Sequence, residues 1–315
     1  MRRYSSPIGI AAIACGLLAH AAPARAASPV TWVSGTGTNA GSCPITAPCK
    51  TFQYAHNQTS INGSINVLSS GSFGPVKITK PISIVADGVE AAIVAGGAIG
   101  AGVRIEAGAG AIVSLRGLTI DLRGTDNRGI YFVSGAALHV HNSVIRRATS
   151  GIRFAPASGT SALTVADSVI ADTSSVGIFV APTGSGSVQA VLDRVRVENA
   201  SGGGIVFSGT NSTGSIAATV RDSVAAGSAS TGIVAQESGT GTTTVTVDRS
   251  TASVNNDAGI FAGGAGATIR IGDSTVSGNF TGLATGGAGV IDSYGTNKVD
   301  GNGTDGAPTS TIVMK

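Results

Sequence analysis

The sequence predicts an all-β protein: a right-handed parallel β-helix of about nine or ten coils, with three short strands per coil and an N-terminal cap. Three observations carry this expectation. The chain has 47 glycines and only 12% charged residues, with abundant Val, Ile and Thr. That is the vocabulary of short strands and tight turns, and its low charge and β-branched content argue against disorder. A Gly–aliphatic pair recurs at Gly102, Gly129, Gly151, Gly177, Gly204, Gly232, Gly259 and Gly282, spaced by 27, 22, 26, 27, 28, 27 and 23 residues. A second motif recurs in phase: an alternating strand, Asn or Asp, often Ser, then an aliphatic strand, as in Leu138–Ile145 and Leu163–Ile170. A near-constant period is the signature of a solenoid.

The elements follow in chain order. Arg2 and Arg3, the apolar run Ile8–Leu18 and Ala24-Arg25-Ala26 form the n-region, h-region and small-residue site of a secretory signal, 1–26. The run is too short to span a bilayer, and no later stretch reads as a transmembrane helix. Export places the protein in the periplasm, outside the cell or on its surface. Residues 27–62 read as a lead-in and cap, because the open end of a solenoid exposes strand edges and core. Within it, Pro48–Asn57 has helical character, with Thr51 as N-cap. Cys43 and Cys49 are the cysteines left after processing, and an oxidising compartment pairs them in a local disulfide. Residues 63–315 form the β-helix. Its first coil starts with Ile65–Val67, Val76–Ile78 and Ile82–Ile84, and its last clear coil runs from Gly282 to Asp300. The tail, Pro308 to Met314, is expected to fold back as a terminal strand.

Within a coil, alternation separates inside from outside. In Gly151-Ile152-Arg153-Phe154, Ile152 and Phe154 point one way and Arg153 the other. The Asn/Asp positions Asn142, Asp167, Asp193, Asp222 and Asp273 are expected to stack as a ladder on one corner, since both residue types tolerate left-handed dihedrals. Ser143, Ser168, Ser223, Ser250 and Ser274 would form a neighbouring ladder. Coil four, Val191–Val197, fits only with a bulge or shifted register. A β-sandwich also has short strands but does not predict one motif repeating in phase.

The repeat resembles that of the pectin-lyase-like right-handed β-helix superfamily over roughly residues 63–300. Trp32–Gly37, Pro48–Phe52 and Ser72-Phe73-Gly74 are similar to the lead-in of many exported β-helix proteins. The resemblance implies the fold. Enzymes, adhesins and other exported proteins share it, so function rests on a site.

Coil by coil, the outward face of the Gly–Ile strands reads Arg104, Tyr131, Arg153, Phe179, Val206, Val234, Phe261 and Ala284, with Glu106, Val133, Ala155, Ala181, Ser208, Gln236 and Gly263 beside them. Arg104, Tyr131, Arg153 and Phe179 are the candidate ligand-binding residues, a strip suited to stacking and hydrogen-bonding a polysaccharide or cell-surface glycan. Val206, Val234 and Phe261 continue it as an apolar stripe that long turns are expected to cover. Glu106 is the one carboxylate in these two columns. A calcium-dependent lyase needs several, and the paired acids and Gly-His-Gly and Arg-Ile-Lys motifs of the related hydrolases do not occur here. No catalytic residue, metal ligand or cofactor is therefore assigned. His139 and His141 read as a surface pair, because a third ligand is lacking. Like charges in the Asp ladder need relief, by calcium or by backbone donors, and Arg249 in the same column favours a structural charge arrangement. N-x-[ST] sites occur at Asn57, Asn62, Asn199, Asn211, Asn279 and Asn302, as chance alone supplies in so polar a chain.

Charge excludes one class of partner. The full chain has 20 basic and 17 acidic residues, and removing Arg2, Arg3 and Arg25 leaves the two signs equal. Electrostatic binding of nucleic acid needs a basic patch or run. The expected protein is a monomeric, non-enzymatic exported scaffold that recognises glycan. The alternatives are a polysaccharide lyase or glycoside hydrolase with its site in the long turns, and a structural envelope component.

Overall fold

The computed structural model describes Met1 and residues 27–124 and 127–313. The secretory signal read at 1–26 lies outside the described residues, Met1 apart. The rest is a right-handed parallel β-helix whose short strands lie across its axis and stack along it in three sheets. The long sheet has 12 strands, from Ser28–Val33 to Ser310–Thr311. The middle sheet has 10, from Gly71–Ser72 to Lys298–Val299. The short sheet has 9, from Val76–Ile78 to Thr281–Gly286. Each coil visits the long, middle and short sheets in turn.

The repeat becomes the register. Ile130, Ile152, Ile178, Ile205, Ile233, Ile260 and Leu283 pair directly up the short sheet. All are buried, in one continuous core. A slip of one residue would turn this whole set outward, so the apolar pattern fixes the pairing. Phe132 and Phe154 stack within that core with ring centroids 4.1 Å apart.

The glycine before each Ile is set by space rather than by dihedral. A Cβ on Gly177 would sit 2.2 Å from Val197 Cγ1 and 2.7 Å from the Gly204 carbonyl oxygen. Gly129 and Gly151 are closed off in the same way by Ile145 and Ile170. From Gly102 to Gly259 the carbonyl oxygen of the next coil's glycine lies 2.4 to 3.0 Å from where that Cβ would be, so each of these coils needs glycine there.

The lead-in joins the solenoid. Ser28–Val33 pairs in parallel with Thr59–Val67, and that strand pairs with Ile82–Val85. The helix Phe52–Gln58 lies against them, with the Thr51 side chain accepting a hydrogen bond from the Tyr54 N–H. Phe52 is fully buried, its ring centroid 5.0 Å from that of Phe73. The Cys43–Cys49 disulfide closes the loop between the first strand and the helix. At the other end, Ser310–Thr311 pairs in parallel with Val290–Ser293. The tail therefore adds a further rung and does not fold back on the one before.

Candidate functional site

The first corner, between the long and middle sheets, departs from the expected ladder. Asn142, Asp167, Asp222 and Asp273 hold φ angles of 46° to 51°, the left-handed conformation this bend requires. In coil four that place belongs to Arg194 (φ 51°), and Asp193 ends the preceding strand. The pairing Ala166↔Asp193↔Arg221 contains no bulge or shift. Coil four simply carries Arg where its neighbours carry Asp. Arg249 (φ 43°) fills the same position two coils later. From Asp167 upward the column therefore reads Asp, Arg, Asp, Arg, Asp.

Alternation relieves the like-charge problem by setting an arginine between successive carboxylates. Arg194 binds Asp167 at 2.6 Å and Asp193 at 2.5 Å, and Arg249 binds Asp222 at 2.9 Å. Hydrogen bonds from these arginines hold the Asp167 and Asp222 carboxyls below the usual range. The serine ladder beside them works on the backbone. Ser168, Ser250 and Ser274 each accept the N–H of the serine one coil below, at 3.1 Å. Each of these hydroxyls also donates to the carbonyl two residues before its own position.

A second ladder, at the corner leading into the short sheet, escaped the sequence reading. Asn255, Asn279 and Asn302 stack with amide-to-amide hydrogen bonds of 2.8 Å and 2.9 Å. Asn279 is 3% exposed, so this N-x-[ST] site is closed to glycosylation in the folded protein. Below Asn255 the same column reads Ala148, Thr173, Ala200 and Ser228, so only three coils carried a signal.

The outward strip of the short sheet is assembled as its spacing predicted. Arg104, Tyr131, Arg153, Phe179, Val206, Val234, Phe261 and Ala284 are consecutive register partners. Two cations join it that the sequence reading left out. Lys77 pairs below Arg104, and Arg128 places its guanidinium 4.6 Å from the Tyr131 ring centroid. Lys77 was legible, because Val76-Lys77-Ile78 alternates in the same phase as Val103-Arg104-Ile105. Arg104 lies 5.0 Å from the Tyr131 centroid, and Arg153 lies 5.0 Å from that of Phe179. Beside Glu106 the partner is Ser134, since a bulge follows Phe132 and takes Val133 out of that column.

Glu106 is fully engaged. One oxygen binds Lys77 and the other Arg104. A hydrogen bond from Lys77, with Arg104 adding to it, holds its carboxyl below the usual range. Lys77, Ala98, Ile99, Arg104 and Glu106 line an open recess of about 240 Å³ at the foot of the strip. Arg153 differs: its Nε is buried and has no hydrogen-bond partner. Further up, the apolar stripe is partly covered. Val234 is 9% exposed, and Phe261 folds over Gly263 and Gly286, where a Cβ would come within 2.6 Å and 3.2 Å of its ring. The strip thus offers aromatic side chains and cations, with its carboxylate already committed.

No family model matches the chain, and no curated protein matches it significantly. Among solved structures it is similar to pectate lyase Pel9A, at 13% identity and a TM-score of 0.55, over 89% of this chain and 79% of that one. The mannuronan C-5 epimerase AlgE6 A-module of Azotobacter vinelandii also aligns, at 13% identity and a TM-score of 0.43, over 80% of this chain and 89% of that one. The likeness to pectate lyase Pel9A shows the right-handed parallel β-helix fold and no more.

Proposed function

We propose that this protein is an exported, monomeric scaffold that binds a glycan along the outward strip of the short sheet without cleaving it. The observation that carries the reading is Arg153, which lies over Phe179 with a buried, unpaired Nε. A buried donor without a partner costs on the order of 1–3 kcal/mol, and a rotation of the guanidinium that brings Nε out to a ligand oxygen would recover it. The strip adds Tyr131 and Phe179 for sugar faces, and sets Lys77, Arg104, Arg128 and Arg153 against Glu106 alone. That surplus favours an acidic glycan. The Cys43–Cys49 disulfide fits the oxidising compartment that export implies.

A lyase or hydrolase is the second reading, favoured by the fold shared with a pectate lyase. Against it stands the strip's chemistry. Its carboxylate is consumed by two cations, and among the described residues no three His, Cys, Asp or Glu side chains converge as metal ligands.

One experiment separates the two. The mature protein, Arg153→Ala and Phe179→Ala are applied to a glycan array, and the ligands found are incubated for products with and without calcium. Binding that both substitutions weaken by about tenfold, a loss of roughly 1.4 kcal/mol, is expected, with no products. Products that survive both substitutions would move the search to an active site in the turns.

A further inference from the structure

We propose that His139 and His141 form a transition-metal site on the outer face of the long sheet, away from the glycan strip. They are alternate residues of the strand Ala137–His141, so both imidazoles leave the same face. Their rings are nearly parallel, 22° apart, with centroids 6.4 Å apart. Two imidazoles sharing one ion, at about 2.1 Å per metal–nitrogen bond, have centroids roughly 5–6.5 Å apart. Binding an ion turns a ring nitrogen of each toward it by side-chain rotation, which two alternate residues on one face of a strand allow.

The surroundings permit a cation. Ser114 and Thr164 flank His139 in register, and Arg116 and Ala166 flank His141. Arg116 is already bound to Asp87 at 2.9 Å. Asp167, at the corner above, lies close enough to His141 to feel its charge and is itself held by Arg194. The remaining coordination positions open toward solvent and an outer-face groove of about 440 Å³, which begins one rung higher at Ala162 and Thr164. Two imidazoles and water select copper(II) most strongly, then nickel(II) and zinc(II).

The chain makes the test clean. The other histidine among residues 27–313, His56, is 4% exposed, and its Nε2 accepts the Thr79 N–H. Copper(II) chloride is titrated into the mature protein by calorimetry, with electron paramagnetic resonance of the complex and circular dichroism of every variant. One copper per chain with two-nitrogen coupling is expected. His139→Gln and His141→Gln should each weaken binding by about tenfold or more, and the double variant should abolish it, with the fold intact. Absence of binding to the wild type, or the same affinity in the double variant, would overturn the site.

Discussion

Val254 holds a φ of +55° at an exposed turn where other coils place Asp172, Asn199, Gly227 and Gly278. A β-branched side chain is the least suited to that conformation, at a cost of roughly 1–2 kcal/mol. Val254→Asn should therefore stabilise the protein by about 1 kcal/mol, read as a higher urea midpoint at unchanged slope. The opposite outcome is expected at Gly177. Its Cβ would strike Val197 and the Gly204 carbonyl, and Gly177→Ala should cost about 2 kcal/mol or more. The Gly–Ile repeat was legible because this crowding recurs in every coil. The exchange at Asp193 and Arg194 was not. Asp is the better residue for a left-handed bend, and only the register shows that Arg194 sits there, held by Asp167 and Asp193.

Ladders stabilise by completing one another's hydrogen bonds, so their elements fail together. Asn279 accepts from Asn255 and donates to Asn302 and to the Ala252 carbonyl. Asn279→Ala strands these buried groups and should cost about 3 kcal/mol in thermal or urea unfolding. The ion pairs at the coil corners predict a pH dependence. Hydrogen bonding by Arg147 holds the Asp121 carboxyl below its usual value, as Arg194 and Arg249 do for Asp167 and Asp222. A carboxyl depressed in the folded state stabilises fully above its unfolded pKa of about 3.9, and that stability is lost as pH falls through the folded value. The melting temperature should fall on acidification below about pH 4, and Asp121→Asn should flatten that fall. The first ladder was visible in the sequence because its Asn, Asp and Ser recur. The second was hidden because Ala148, Thr173 and Ala200 occupy the same column without announcing it.

Across the whole molecule, a solenoid turns a local motif into a linear surface. One outward position per coil becomes a column, so the order of Arg104, Tyr131, Arg153 and Phe179 could be read from spacing alone. Lys77 and Arg128 extend the column with cations, and above it Val234 is buried and Phe261 lies over Gly263 and Gly286. Pairing of Arg153 with Phe179, and the unpaired Nε, depend on side-chain placement and were not legible. From Lys77 to Phe179 the strip spans four rung spacings, or roughly 19 Å along the axis. Calorimetric titration of acidic oligosaccharides of increasing length into the mature protein tests the central claim most directly. Affinity should rise with length until the chain covers the strip and then level off, with no bond cleaved. Affinity that is independent of length, or unchanged by Arg153→Ala, would contradict the assignment of this face.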